Sequence, residues 1–597
     1  MLKSKGKELI KLFTYSIILY IITYMMQHDN LLESVATFTF NLLYNIRYII
    51  IGYLIMLSIF VVIKSLFKNL YITNAIIIAV VFIITIISYY KIKIIGQPFV
   101  PNDVFLIRNI GQISKFGLTL PSIFIILNVI LLVFIFVAQL KLAKRHNTKN
   151  KITWKTDWYR IPTFILGLII IFVLCISPKR FTYLNIESDL GNSYLWMGGN
   201  ATFFIHLGDF YSVPPENYNK EYILKIKNKY INHHDEKVYN SIRPNVIIIM
   251  NESFSDPNKI KNVEYSKNPL SEIKQLLSYD SNCSMGYIST PVFGGGTSLP
   301  EFETLTGLSS YFLEKQIFPY NTYIHSDMNS IVRTYNHNNY LTVGLHTNTQ
   351  SFYNRKNVYK FLGFQKTIFA EDIQNPEIKG EYISDNEFAN QVIKEFENKN
   401  NSNIFIFGVT MQNHMPYKNK KYDHYDITIQ SDYLTDAENM ELKNYIQGVY
   451  DGDKMYSKLV EYLRTQNEPT VLLMFGDHLP TFESGEKIYS KIKYLDYYST
   501  PYILWANYDI DNAYIKTRMS PSSLSISLLN LCNIELPWYL KTFEKLYNLY
   551  PSINNQFVID AEGKIFEPKQ IENTDLINDC RIIQYDLLIK KKYIDIN

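Results

Sequence analysis

The sequence predicts a helical membrane domain of five spans followed by an α/β domain built on a mainly parallel sheet. Three observations carry this. Five long apolar runs fall within the first 180 of 597 residues, the charge divides sharply at the same place, and beyond residue 240 short β-branched runs alternate with helix-like stretches. The boundaries expected are 1–178 for the membrane domain, 179–240 for a packed connector and 241–597 for the outer domain. A chain that is 47% hydrophobic with four cysteines is neither wholly disordered nor a disulfide framework.

A bilayer core takes about 20 apolar residues per helix. Segments 69–90, 116–140 and 161–178 meet or approach this. Segments 12–26 and 48–63 are shorter and need Lys11 and Lys64 to snorkel. Residues 1–180 hold 20 Lys/Arg against five acidic residues, a net +15, so the remainder carries −11 of the total +4. Positive loops stay cytoplasmic. Lys3, Lys5, Lys7 and Lys11 place the N-terminus inside. Lys64 with Lys68, and the run from Lys141 to Arg160, place the second and fourth connections there too. Five crossings put the outer domain outside a cell membrane. The third connection, 91–115, with Lys91, Lys93, Arg108 and Lys115, reads as a structured outer loop. No small-residue cleavage site follows the first span, which is therefore expected to be a retained anchor.

In the outer domain the runs NVIIIM (245–250), LTVGLH (341–346), NIFIFGV (403–409), TVLLMF (470–475) and YILWA (502–506) suit strands buried on both faces of a largely parallel sheet. Ligands of such sheets bind beyond the strand C-termini. Four runs lead directly into chemistry-bearing residues: Glu252, His346, His414, and Asp477 with His478. Carboxylate oxygens with imidazole nitrogen suit Mn²⁺, Mg²⁺ or Zn²⁺. The segment PVFGGGTSLPEFETLTG brings three glycines to a helix start at Thr297, with Pro300 inside the first turn. A hydroxyl there suits phosphate binding and nucleophilic attack; alternatively it only caps the helix. Cys175, Cys283, Cys532 and Cys580 match no metal spacing and receive no role. The acidic outer domain does not favour broad capture of anions, nucleic acid included, so phosphate recognition has to be local.

The motifs NVIIIMNESFSD, GGGTSLPEFETLTG, HTNTQSFYNRKNVYKFLGF, MQNHMPY and FGDHLP, in this order after five apolar spans, resemble the lipoteichoic acid synthase family of the alkaline phosphatase and sulfatase superfamily. The closing IIQYDLLIKKKY is similar to that family's C-terminal stretch. The resemblance implies a sulfatase-like outer domain with a small C-terminal subdomain. It also implies one divalent metal, with Mn²⁺ expected, held by Glu252, Thr297, Asp477 and His478, and Thr297 as nucleophile. His346, Arg355 and His414 would contact the phosphate and glycerol of the substrate, with Tyr353 where the synthases carry tryptophan. The implied activity is transfer of glycerol phosphate from phosphatidylglycerol, through a glycerophospho-threonine, to a cell-envelope acceptor: a lipoteichoic acid chain, a glycolipid primer or a wall polysaccharide. GGGTSLPEFE departs from the synthases' G-K-T and looks closer to members that decorate wall polysaccharides. Alternatives are phosphoethanolamine transfer and a non-catalytic polysaccharide-binding or assembly module. A sulfatase proper ranks last, since TSLPEF lacks the C/S-x-P-x-R setting of a formylglycine precursor.

Overall fold

In lipid every backbone polar group has to be satisfied within its own segment, so apolar runs wind into helices. The computed structural model describes residues 2–95, 98–101, 103–104, 121–145, 157–176, 190–210, 214–231, 242–313, 318–482, 487–510, 515–571, 574–588 and 593–595. It divides into two units, Met1–Val213 and Pro214–Asn597.

The first unit contains α1 (Leu2–Met25), α2 (Leu31–Tyr44), α3 (Ile46–Leu66), α4 (Leu70–Ile95), α5 (Ile123–Arg145) and α6 (Arg160–Ile171), the last extended by a π-helical turn, Phe172–Ile176. Each expected span coincides with a helix where it is described; 116–120 and 177–178 lie outside the described residues. Among the described residues, α3, α4 and α5 are long and apolar enough to cross a membrane, whereas Ile10–Met25 and Arg160–Ile176 are shorter apolar helices. The α2 helix was not foreseen; Asn30 caps it by accepting the Glu33 amide at 2.8 Å.

Buried polar groups tie these helices together. Arg160 donates Nη1 to the carbonyls of Lys64, Ser65 and Phe67 at 2.9, 3.3 and 3.1 Å, satisfying backbone left open at the end of α3. Asn74 of α4 donates to Gln139 of α5 at 3.2 Å. In the 91–115 connection, Lys91 reaches the Pro98 carbonyl at 3.0 Å and Asp103 at 2.7 Å; 96, 97, 102 and 105–115 lie outside the described residues. The 179–240 segment is shared out, with helices Leu190–Met197 and Gly199–Ile205 in the first unit and Lys220–Ile231 in the second.

The second unit is built on eight strands: β1 (Asn245–Asn251), β2 (Cys283–Ser289), β3 (Leu341–His346), β4 (Lys366–Phe369), β5 (Ile404–Val409), β6 (Thr470–Gly476), β7 (Ser499–Ala506) and β8 (Arg518–Met519). Their spatial order is β8-β2-β7-β6-β1-β5-β3-β4. Strands β6, β1, β5, β3 and β4 run parallel, while β7 pairs antiparallel with both β6 and β2. Alternate residues of β1 enter opposite cores: Val246, Ile248 and Met250 on one face, Ile247 and Ile249 on the other. This two-sided burial is why the strands read as unbroken apolar runs. Toward the C-terminus a three-stranded antiparallel sheet spans Ser552–Phe566, and Ile577, Cys580, Ile582 and Ile583 of the closing helix, Asp575–Leu588, join the same core as Val246. All four cysteines are buried and none is in a disulfide.

Candidate active site

Because β1, β3, β5 and β6 are parallel, their C-termini open on one edge of the sheet. Asn251 of β1 leads into Glu252, Gly476 of β6 into Asp477 and His478, and Val409 of β5 into the 410–417 loop. Glycine is required at 476: a Cβ there would lie 1.8 Å from the Phe254 carbonyl oxygen. That close approach lets the Ser253 amide donate to Asp477 Oδ1 at 2.8 Å. The Ser253 hydroxyl donates to Glu252 Oε1 at 2.9 Å, and Thr410 Oγ1 accepts the Glu252 amide at 3.1 Å.

Glu252, Asp477 and His478, all buried, present one ligand atom each within 4.8 Å of one another. His478 Nδ1 lies 3.0 Å from the Leu479 carbonyl, which can only accept, so Nδ1 carries the proton and Nε2 keeps its lone pair. That Nε2 lies 3.1 Å from Asp477 Oδ2, 4.0 Å from Glu252 Oε1 and 3.4 Å from Thr297 Oγ1. Asp477 Oδ2 is buried without a hydrogen-bond partner among the described residues. Burial and the Asp477 charge push the Glu252 carboxyl well above the usual carboxylate range. Two crowded carboxylates, an orphaned oxygen, an imidazole lone pair and a hydroxyl fit one divalent cation.

Thr297 precedes the helix Ser298–Thr306, after three glycines with positive φ (73°, 153° and 92°). Its side chain makes no capping bond, so the helix-cap reading of this threonine does not hold; the hydroxyl faces His478 instead. Pro300 stands in the first turn, as expected.

The remaining expected residues form an adjoining group. His346, the last residue of β3, has Nδ1 at 3.1 Å from the Val409 carbonyl and Nε2 at 3.1 Å from Arg355 Nη1. Burial and the Arg355 charge hold its pKa well below the ordinary histidine value, so it is a neutral acceptor of the Arg355 proton. Arg355 is fully buried and forks onto Glu301. Tyr353 adopts φ 53° and ψ 24°, a strained conformation for an aromatic residue, with the Arg355 guanidinium 5.2 Å from its ring centroid. The Phe352 ring lies between His346 and His414, its centroid 6.3 and 6.4 Å from theirs. His414 is half-buried, with Nδ1 2.8 Å from the Met415 carbonyl. Sequence reasoning missed Glu301, Thr410, Phe352 and Lys421, whose ammonium donates to the His414 carbonyl at 2.5 Å.

Comparison with known proteins bears on this arrangement. Residues 244–534 match the model of the Sulfatase family. A protein of Rhizobium meliloti (strain 1021) named for modification of cyclic beta-1,2-glucan is 26% identical over 536 residues, 85% of this chain and 81% of that protein. Among solved structures, Streptococcus pyogenes phosphoglycerol transferase GacH in complex with sn-glycerol-1-phosphate aligns with TM-score 0.55 and 24% identity, over 64% of this chain and 97% of its own, which shows a shared fold. Lipoteichoic acid synthase LtaP from Listeria monocytogenes aligns with TM-score 0.43 and 19% identity, over 61% and 97%. This chain therefore carries a helical region followed by a domain whose residues 244–534 match the Sulfatase family model and whose fold is shared with the phosphoglycerol transferase structure.

Proposed function

We propose that the protein is a membrane-anchored, metal-dependent phosphoglycerol transferase that moves glycerol phosphate from phosphatidylglycerol to a cell-envelope acceptor through Thr297. The observation that carries this reading is the Thr297 hydroxyl, which caps nothing and lies 3.4 Å from His478 Nε2 beside two buried carboxylates. Glu252, Thr297, Asp477 and His478 would hold the metal, of which Mn²⁺ is the expected ion. A bound divalent cation supplies charge stabilisation for the transferring phosphoryl oxygens and favours the alkoxide of its hydroxyl ligand.

The reaction proceeds in two displacements. Thr297 Oγ1 gives up its proton and bonds to phosphorus as the bond from phosphorus to the diacylglycerol oxygen breaks, and the leaving oxygen takes up that proton. An acceptor hydroxyl then attacks the same phosphorus, loses its proton and releases Thr297. His414, its Nδ1–H set on the Met415 carbonyl, is the group that moves these protons. His346, Tyr353 and Arg355 shape the headgroup side of the site. Five crossings, with the N-terminus inside and the catalytic domain outside, put the site beside the donor lipid. The glucan-modifying relative favours a glycan over a growing polymer as acceptor.

The test uses the purified full-length chain with Mn²⁺ and headgroup-labelled phosphatidylglycerol. Diacylglycerol is released, and the peptide containing Thr297 carries the glycerophospho group by mass analysis. Thr297→Ala abolishes both; undiminished turnover in that variant rules the mechanism out. An ethanolamine phosphate adduct from mixed lipids would reassign the donor to phosphatidylethanolamine.

A further inference from the structure

The site as described has little positive charge to offer an anion. Arg355 is fully buried, with Nε and Nη2 on Glu301 and Nη1 on His346. Lys379, on the neighbouring hairpin, is neutralised by Asp451 at 2.7 Å. Lys421 differs from both. It makes no ion pair among the described residues, and the acceptor its ammonium finds there is the His414 carbonyl, at 2.5 Å. An ammonium carries three donors. The rings of Tyr417, Tyr382 and Tyr422, with centroids 5.1, 5.5 and 5.7 Å away, hold it in place by cation–π attraction without supplying an acceptor for the other two.

We propose that Lys421 is a phosphate-recognising residue of this site, its ammonium donating to an anionic phosphoryl oxygen of a substrate bound between the Glu252 and His414 sides. This rests on the phosphoglycerol transferase reading for its substrate class. Three further observations support it. Lys421 is tied to the backbone of His414, the proposed proton carrier, so its ammonium is anchored to the loop that carries that residue. The Glu252 carboxylate is near enough to contribute to the field at Lys421. Burial also depresses the Lys421 pKa to about 7, with the charges of Glu381, Glu252 and Asp385 opposing the shift. Those carboxylates act on it without an ion pair among the described residues, and a phosphodiester supplies one. The same chemistry is available from the donor headgroup or from a phosphate on the acceptor.

The experiment measures binding of sn-glycerol-1-phosphate to the Mn²⁺-loaded full-length chain by calorimetry, with glycerol as the uncharged control. Lys421→Met should weaken glycerol phosphate binding by about tenfold to a hundredfold, the loss of one charge-assisted contact, and leave glycerol unaffected. Lys421→Arg should restore most of the affinity. Should Lys421→Met fold poorly, Lys421→Gln replaces it. Unchanged affinity in the folded variant overturns the proposal, as does a fall in kcat at constant affinity, which would make Lys421 a positioning residue for the His414 loop. A raised KM for phosphatidylglycerol assigns the contact to the donor, and a raised KM confined to a phosphate-bearing acceptor assigns it to the acceptor. If the wild type consumes no phosphatidylglycerol yet Lys421→Met loses glycerol phosphate binding, the transfer reading fails and this one stands.

Discussion

Arg355 and Glu301 form a fully buried ion pair, with Nη2 2.7 Å and Nε 3.0 Å from Oε2 and the Nε proton shared with Oε1 at 3.1 Å. Tyr359 donates to the same Oε1 at 2.7 Å. The pair joins the helix that follows Thr297 to the Tyr353 loop, so these two parts of the candidate site are held by one contact.

Breaking that pair leaves a buried charge without its partner. Glu301→Gln should destabilise the catalytic domain by about 3–5 kcal/mol, measured by denaturant unfolding of the purified chain. The double variant Glu301→Met with Arg355→Met should recover much of the loss in stability and none of the activity. A Glu301→Gln protein as stable as the wild type would mean the pair is not desolvated as described.

The metal cluster makes an opposite pair of predictions with and without the ion. Mn²⁺ at about a hundred times its Kd should stabilise the chain by about 2.7 kcal/mol, seen as a higher unfolding midpoint. Asp477→Asn should lose that gain, because the buried and otherwise unpartnered Oδ2 goes with it. In chelator, Glu252→Gln should be no less stable than the wild type, since burial and Asp477 already disfavour its charge. A full Mn²⁺ shift in Asp477→Asn would place the metal elsewhere.

Much of this was legible in the chain because the chemistry follows directly on the strands. The runs at 245–250, 341–346, 403–409 and 470–475 became β1, β3, β5 and β6 within a residue, and parallel pairing brought Glu252, His346, the His414 loop and Asp477 to one edge. Direction was not legible. β7 is buried at all eight positions, as β6 is at all seven of its own, yet the two run antiparallel. β2, CSMGYIS, is only partly buried and has no apolar run to mark it. Glu301 was missed for a related reason. Four residues after Thr297 it reads as an ordinary helix acid, and only folding brings Arg355, 54 residues further on, against it.

A second buried acid on the same helix gives a pH signature. Glu303 accepts the Ser310 amide at 2.7 Å through Oε1, Oε2 has no partner among the described residues, and burial pushes its pKa up to about 8. The folded state therefore binds the proton more tightly than the unfolded state. Its contribution is complete below about pH 4.5 and is lost as pH rises through about 8, an effect of roughly 5 kcal/mol at most. Asp385 and Asp453, raised to about 8 and about 7, act in the same direction, so the informative quantity is the difference between wild type and Glu303→Gln. That difference should favour the variant increasingly from pH 5 to pH 8. A flat difference would remove Glu303 as its source.

Orientation in the membrane can be predicted from two polar clusters at opposite ends of the helices. At one end Arg160 binds the last carbonyls of α3, and Lys68 pairs with Asp157 at 3.1 Å, so the α3–α4 connection and the start of α6 share a side. At the other, Asp29 after α1 accepts from Tyr89 at 2.6 Å and pairs with Lys93 at 2.9 Å, so the ends of α1 and α4 share a side. Lysine and arginine crowd the first group and the preceding 141–155 run, which predicts a cytoplasmic location for that side. The four native cysteines are buried, so an introduced thiol can be read against a low background. Glu33→Cys on α2 should react with a membrane-impermeant maleimide in intact cells, and Lys144→Cys at the end of α5 only after permeabilisation. The reverse pattern would invert the orientation and place the catalytic domain inside. Labelling of both in intact cells would break the alternation of spans on which the external site depends.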